Sequence, residues 1–288
     1  MNASRQILAI LTLTALMCGV WTAALRVLPQ PSLAETNYEA NRLRVERWLL
    51  GPPSPVVLVG TSLTGRLLPG YFQDTPLAGT ENLGLDGASP DTGLRLVLMR
   101  NPAPALVLLE VHLLSKKPGT NDRQLLDLAT GVGLQVSSIL PLTRADARPS
   151  TVLYGWLKER QAGEGSADVT PRAVSPEQAR KEAEAMDPDW QPRLRELVAR
   201  LETRGSRVAL VRLPTGRGNP TDPEAPNDAD ATARELGLPL LDLLRISRRE
   251  GVRITYTDGL HLTPNSARTV CRLLVGALET EGLLKKPQ

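Results

Sequence analysis

The sequence predicts an α/β protein, a parallel sheet with helices on both faces, preceded by an apolar N-terminal segment. Three observations carry this expectation. Short apolar, β-branched runs of strand length recur without polar alternation, as in strands buried on both faces. Other stretches repeat apolar residues at helical spacing. The two kinds of segment alternate along the chain, as they do when crossover helices connect parallel strands.

The first element is the uncharged run Ile7 to Leu25, preceded by Arg5 and followed by Arg26. It approaches the roughly 20 residues that a helix needs to cross a bilayer core. It reads as an uncleaved signal anchor; the alternative is a long signal peptide cut at Ser32-Leu33-Ala34. Cys18 makes a poor lipid-attachment site, because Met17 before it is too large and the apolar run continues beyond it. Either reading puts the domain outside the cytoplasm, periplasmic or extracellular, as an anchored or a secreted protein. Residues 1–34 are thus a targeting segment and linker, and residues 35–288 a single domain.

Thr36 to Leu50 reads as a helix, opened by a capping box of Thr36 with Glu39 and closed by Pro52 and Pro53. A strand follows at Val56-Val57-Leu58-Val59, between Pro55 and Gly60. Ala105 to Val111 and Arg207 to Leu213 are further strands, and Leu238 to Leu241 a short fourth. Trp190, Leu194, Leu197, Val198 and Leu201 form a helical stripe, as do Ala267, Val270, Leu274 and Ala277. Residues 116–188 break the alternation. They are rich in Gly, Pro, Ser, Asp and Arg, include Gln161 to Ser166, and read either as an inserted lid or partner surface or as an ordinary solvated connection.

Composition narrows the chemistry. The 288 residues carry a net charge of +3 and only 3% aromatic residues. Without a basic stripe, and with few aromatics for bases to stack on, nucleic acid is not an expected partner. Two cysteines, Cys18 and Cys271, and two histidines, His112 and His261, argue against a His/Cys zinc site. No cofactor is expected.

The first strand runs directly into Gly60-Thr61-Ser62-Leu63-Thr64-Gly65-Arg66. A serine there sits at the carboxyl edge of the sheet, where open α/β sheets bind ligands. A helix starting at this point would turn free N–H groups toward a developing oxyanion. A second segment, Tyr256-Thr257-Asp258-Gly259-Leu260-His261-Leu262-Thr263-Pro264, places an aspartate three residues before a histidine. Thr263 as N-cap and Pro264 at the first helical position would begin the next helix and steady the loop. Such a pair suits a general base held by a carboxylate. In Asn82 to Ser89, Gly87 permits close backbone approach, and its N–H is a candidate oxyanion donor.

These blocks, in this order, resemble the SGNH (GDSL-type) hydrolase superfamily over about residues 54–280. Val57 to Ser62 is similar to its nucleophile block, Asn82 to Gly87 to its glycine block, and Asp258-Gly259-Leu260-His261 to its Asp-x-x-His block. The resemblance implies a flavodoxin-like α/β/α sandwich and acyl-ester chemistry. Ser62 would be the nucleophile, His261 the base, Asp258 its support, and the Ser62 and Gly87 N–H groups oxyanion donors. The family's Gly-x-Asn-Asp block is missing directly after the second run, which ends Glu110-Val111-His112. Gly119-Thr120-Asn121-Asp122 supplies those letters only farther along. The third donor is therefore His112, Asn121 or absent, and the spacing favours His112 or none. The resemblance also implies an ester or acylated glycan, or a lipid ester, as substrate at the cell envelope, for hydrolysis or O-acyl transfer. The alternative is a catalytically inactive domain that binds an envelope glycan or protein.

Overall fold

The computed structural model describes residues 3–28, 31, 34–162, 186–215 and 228–284. The chain opens with α1 (Ala3–Leu25), which has no buried residue and is long and apolar enough to cross a membrane. It fits a signal or anchor segment. Helix α2 (Asn37–Leu50) begins where Thr36 Oγ1 accepts from Glu39 N, half of the expected capping box. The Glu39 carboxylate turns instead to Arg148, 2.7 Å away.

Among the described residues there are five strands, β1 (Val56–Gly60), β2 (Glu81–Gly84), β3 (Leu106–Glu110), β4 (Arg207–Arg212) and β5 (Leu240–Asp242). All neighbouring pairs are parallel, in the order β2-β1-β3-β4-β5. This is the α/β architecture expected, with one strand more. β2 was not anticipated as a strand because it is short and begins Glu-Asn rather than with an apolar run.

Side chains along each strand alternate between two cores, as a pleated strand requires. Val57 and Val59 of β1, Val107 and Leu109 of β3, and Val208 and Leu210 of β4 join one core. On that face lie α2, α3 (Pro90–Leu98) and α7 (Trp190–Thr203), with Val45 and Trp48, Leu94 and Val97, and Leu194 and Leu197. Val56 and Leu58, Leu106 and Leu108, and Ala209 and Val211 join the other. There α9 (Leu243–Arg249) and α10 (Pro264–Thr280) supply Leu243, Ala267, Val270, Cys271 and Leu274. Continuous apolar runs are thus the direct result of a sheet covered twice. Helix α8 (Asp228–Leu236) precedes β5.

Residues 116–162 are largely helical. They hold α4 (Thr120–Thr130), α5 (Val132–Ile139) and α6 (Pro149–Ala162), with short 3₁₀ turns at Pro141–Thr143 and Ala145–Ala147. Residues 163–185, including the Gly-rich part of the expected insertion, lie outside the described residues, as do Ser32 and Leu33 of the expected cleavage site.

Candidate active site

Strand order reverses at β1, whose neighbours β2 and β3 lead away in opposite directions. A crevice forms outside the carboxyl ends of the strands at such a point. Ser62 follows the last residue of β1 by two positions and is half-buried there. No α-helix starts at Ser62. The chain instead takes a 3₁₀ turn at Thr64–Arg66 and another at Pro69–Phe72, so the expected helix-end field is missing. The turn is held by side chains instead.

The main support is Glu110, at the end of β3 and only 1% exposed. Its Oε2 accepts from Thr61 N at 2.9 Å, Thr64 N at 3.1 Å and the Thr64 hydroxyl; its Oε1 accepts from Thr61 Oγ1 at 2.8 Å. Burial alone pushes a carboxyl pKa up. The nearby His112 imidazole and the Thr61 and Thr64 donors outweigh it and hold Glu110 below the ordinary glutamate value. Glycine makes the packing feasible: a Cβ on Gly60 would collide with Thr64 Oγ1 and the Glu110 side chain. From the other side, Asn82 Nδ2 donates to Thr64 O and Leu67 O at 2.8 and 2.7 Å.

Asp258 and His261 lie on a small loop closed by a bridge between Tyr256 and Leu262, both buried in the second core. Thr257 N donates to His261 O, and Gly259 takes a positive φ of 77°. Thr263 caps α10 by accepting from Ser266 N, with Pro264 at the first position, as the sequence predicts.

Ser62, His261 and Asp258 meet in one line of hydrogen bonds. Ser62 Oγ is 2.8 Å from His261 Nε2, and His261 Nδ1 is 2.7 Å from Asp258 Oδ2. Asp258 Oδ1 also accepts from the His261 and Leu260 N–H groups at 2.8 and 3.0 Å. Partial burial opposes ionisation of Asp258, but these bonds prevail and lower its pKa to about 2. An ionised carboxylate bonded to Nδ1 fixes the Nδ1–H tautomer. That leaves Nε2 to accept the serine proton.

The Gly87 segment follows β2. Gly87 has a φ of +73°, which glycine adopts readily. Asn41 and Asp86 exchange two hydrogen bonds, and Arg44 donates to Gly84 O, Gly65 O and Asp86. Helix α2 therefore ties the Gly87 segment to the Ser62 turn. Among the described residues, neither the Ser62 N–H nor the Gly87 N–H has a hydrogen-bond partner. Neither is therefore committed to another acceptor.

Of the two candidates for a third donor, Asn121 and not His112 lies beside Gly87. Asn121 is brought back to the site: its Nδ2 donates to Asp86 O at 3.0 Å and lies 3.6 Å from where a Gly87 Cβ would stand. The return is made by a tight turn in which Leu113 adopts a φ of 58° and its carbonyl accepts from Lys116 N. Asp122 secures it, accepting from Ser89 N, Thr92 Oγ1 and Gly119 N. His112 goes elsewhere. Its Nδ1 is 3.5 Å from Glu110 Oε1 without hydrogen-bond geometry. The residue borders a groove of ≈ 590 Å³ at the ends of β3 and β4, lined also by Trp190, Gln191, Arg212 and Glu235. Sequence spacing favoured His112 or no third donor over Asn121, but the turn at Leu113 places Asn121 beside Gly87. Glu110, Asn41 and Arg44 were not singled out at all. A lone carboxylate ending an apolar strand was the available signal for Glu110.

The chain matches no protein-family model and no curated protein, so its chemistry has to be argued from these residues.

Proposed function

We propose that this chain is a serine-dependent acyl-ester hydrolase or O-acyltransferase of the SGNH kind, acting at the cell envelope. The observation that carries the reading is the line from Ser62 Oγ through His261 to Asp258, with separations of 2.8 and 2.7 Å. In the first step Ser62 Oγ attacks the acyl carbonyl while His261 Nε2 takes its proton. The tetrahedral oxyanion is received by the Ser62 and Gly87 N–H groups and by the second N–H of the Asn121 amide. His261 then returns the proton to the departing alcohol oxygen, leaving Ser62 acylated. Water or an acceptor hydroxyl attacks next, with His261 again as base, and Ser62 is released. Asp258 stays ionised throughout and stabilises the imidazolium.

The apolar helix α1 supports this location: as an anchor it would hold the domain on the far side of the membrane. An acylated glycan suits that place. The test is covalent labelling of full-length protein in detergent with a fluorophosphonate, which needs an activated serine but no knowledge of the substrate. Wild type should label, and Ser62→Ala should not. A folded, monodisperse wild type that resists the probe at high concentration would leave the enzyme reading without support.

A further inference from the structure

Helices α5 and α6 wear their amphipathic pattern inside out. On α5 and its C-terminal flank, Val132, Val136, Ile139 and Leu140 recur at the spacing of one helical face, and they are 71%, 43%, 83% and 52% exposed. The buried residue of α5 is Ser137. On α6, Leu153, Trp156 and Leu157 form a second stripe, each about half exposed, whereas Thr151 and Gly155 are buried. Leu134, Val152 and Tyr154 are half-buried, but helices that turn this many large apolar side chains outward are not built to face water.

One contact indicates what it faces. The Trp21 indole N–H, in the last two turns of α1, donates to Ala147 O at 2.7 Å. Ala147 lies between α5 and α6, just before Pro149. If α1 crosses the bilayer, Trp21 lies at the headgroup level that tryptophan favours, and Ala147 lies there with it. The outward stripes of α5 and α6 therefore start at the membrane surface. Over α5, α6 and the residues between them the charged residues are Arg144, Arg148, Lys158 and Arg160 against Asp146 and Glu159, a small cationic excess, and Arg148 is paired with Glu39. The chain's own residues 163–185 make a poor cover, since Val169 and Val174 are their only large apolar side chains.

We propose that α5 and α6 form a second, interfacial membrane contact, with their apolar faces seated at the headgroup–acyl boundary of the bilayer that α1 spans. The proposal rests on reading α1 as a membrane anchor. It makes the domain a body fixed to the surface at two places rather than one swinging on a tether.

The experiment uses full-length protein carrying Cys18→Ala, reconstituted in phosphatidylcholine vesicles containing anionic phosphatidylglycerol. Single added cysteines at Val136→Cys, Leu157→Cys, Leu16→Cys and Arg272→Cys carry an environment-sensitive fluorophore, the fully buried Cys271 being shielded from label in the folded protein, and lipids spin-labelled near the headgroup and along the acyl chain act as quenchers. Labels at 136 and 157 should be quenched most by the shallow lipid, the label at 16 by the deep one, and the label at 272 by neither. Quenching at 16 but not at 136 and 157 would overturn the interfacial contact while keeping the anchor. Absence of quenching at all four positions would overturn the anchor itself. Energy transfer between labels at 136 that grows with the protein-to-lipid ratio, without lipid quenching, would assign the surface to a second copy of the chain.

Discussion

Replacing Glu110 tests whether the serine turn owes its shape to one buried carboxylate. Alanine is the wrong probe. It would strand the Thr61 and Thr64 N–H groups in a buried place, at about 1–3 kcal/mol each. That is a large share of the roughly 5–15 kcal/mol by which a domain is stable. Glu110→Gln keeps the volume. Its carbonyl oxygen can replace Oε2 and accept from both backbone N–H groups, while its NH₂ takes the Oε1 place, where the Thr61 hydroxyl can rotate to accept. What is lost is the charge. A hydrogen bond to a charged group contributes about 1.5–3 kcal/mol and a neutral one about 0.5–1.5, so two backbone bonds lose about 2–3 kcal/mol together. For a domain of this size the melting temperature should fall by about 4–12 °C. Well below that temperature, fluorophosphonate labelling of Ser62 should slow by about tenfold to a hundredfold, because small misplacements of a nucleophile are costly. Since the folded Glu110 pKa is lowered, its contribution is present above the ordinary glutamate range and is lost as pH falls through the folded value. The gap in melting temperature between wild type and variant should narrow accordingly in acid. An unchanged melting temperature together with an unchanged labelling rate would refute the role given to Glu110.

Three further perturbations probe the site. Asp258→Asn should fold yet cut turnover by orders of magnitude. With Asp258 lowered from 3.8 to about 2, the stability it contributes should largely persist at pH 4, be mostly lost near pH 2 and vanish below it; a difference from the variant that stays constant from pH 5 to pH 2 would contradict an ionised Asp258. Asn121→Ala should lower kcat by about tenfold to a thousandfold with little change in KM, and His112→Ala should leave kcat nearly intact, so the opposite pattern would return the third donor to His112. Gly84→Ala should lose about 1–3 kcal/mol of stability, because a Cβ there would overlap Gly65 N, and thermal melting checks it.

How much was legible in the sequence depended on whether a residue's role is local. β1, β3 and β4 were readable because strands covered on both faces must be apolar throughout. β2 was not, because Asn82 spends its side chain on the carbonyls of Thr64 and Leu67 instead of on a core. Ser62, Asp258 and His261 could be singled out because each has a recognisable local setting: after a strand, or before a capped helix. The supports could not. Glu110, Asn41 and Arg44 act on backbone groups far along the chain, and nothing in their own neighbourhood announces those partners. Asn121 was present as letters but at the wrong spacing until the turn at Leu113 shortened the path.

The hydrogen bond between Ser62 and His261 joins residues 199 positions apart. Chains are synthesised at about 5–20 residues per second, so the imidazole emerges roughly 10–40 s after the serine. For all that time the hydroxyl is an ordinary alcohol. If α1 leads the chain across a membrane, the two meet only after the loop before α10 has crossed as well. On the proposed mechanism the timing would confine ester chemistry to the far compartment, and a chain stalled or cut before α10 would carry the proposed nucleophile without its proposed base.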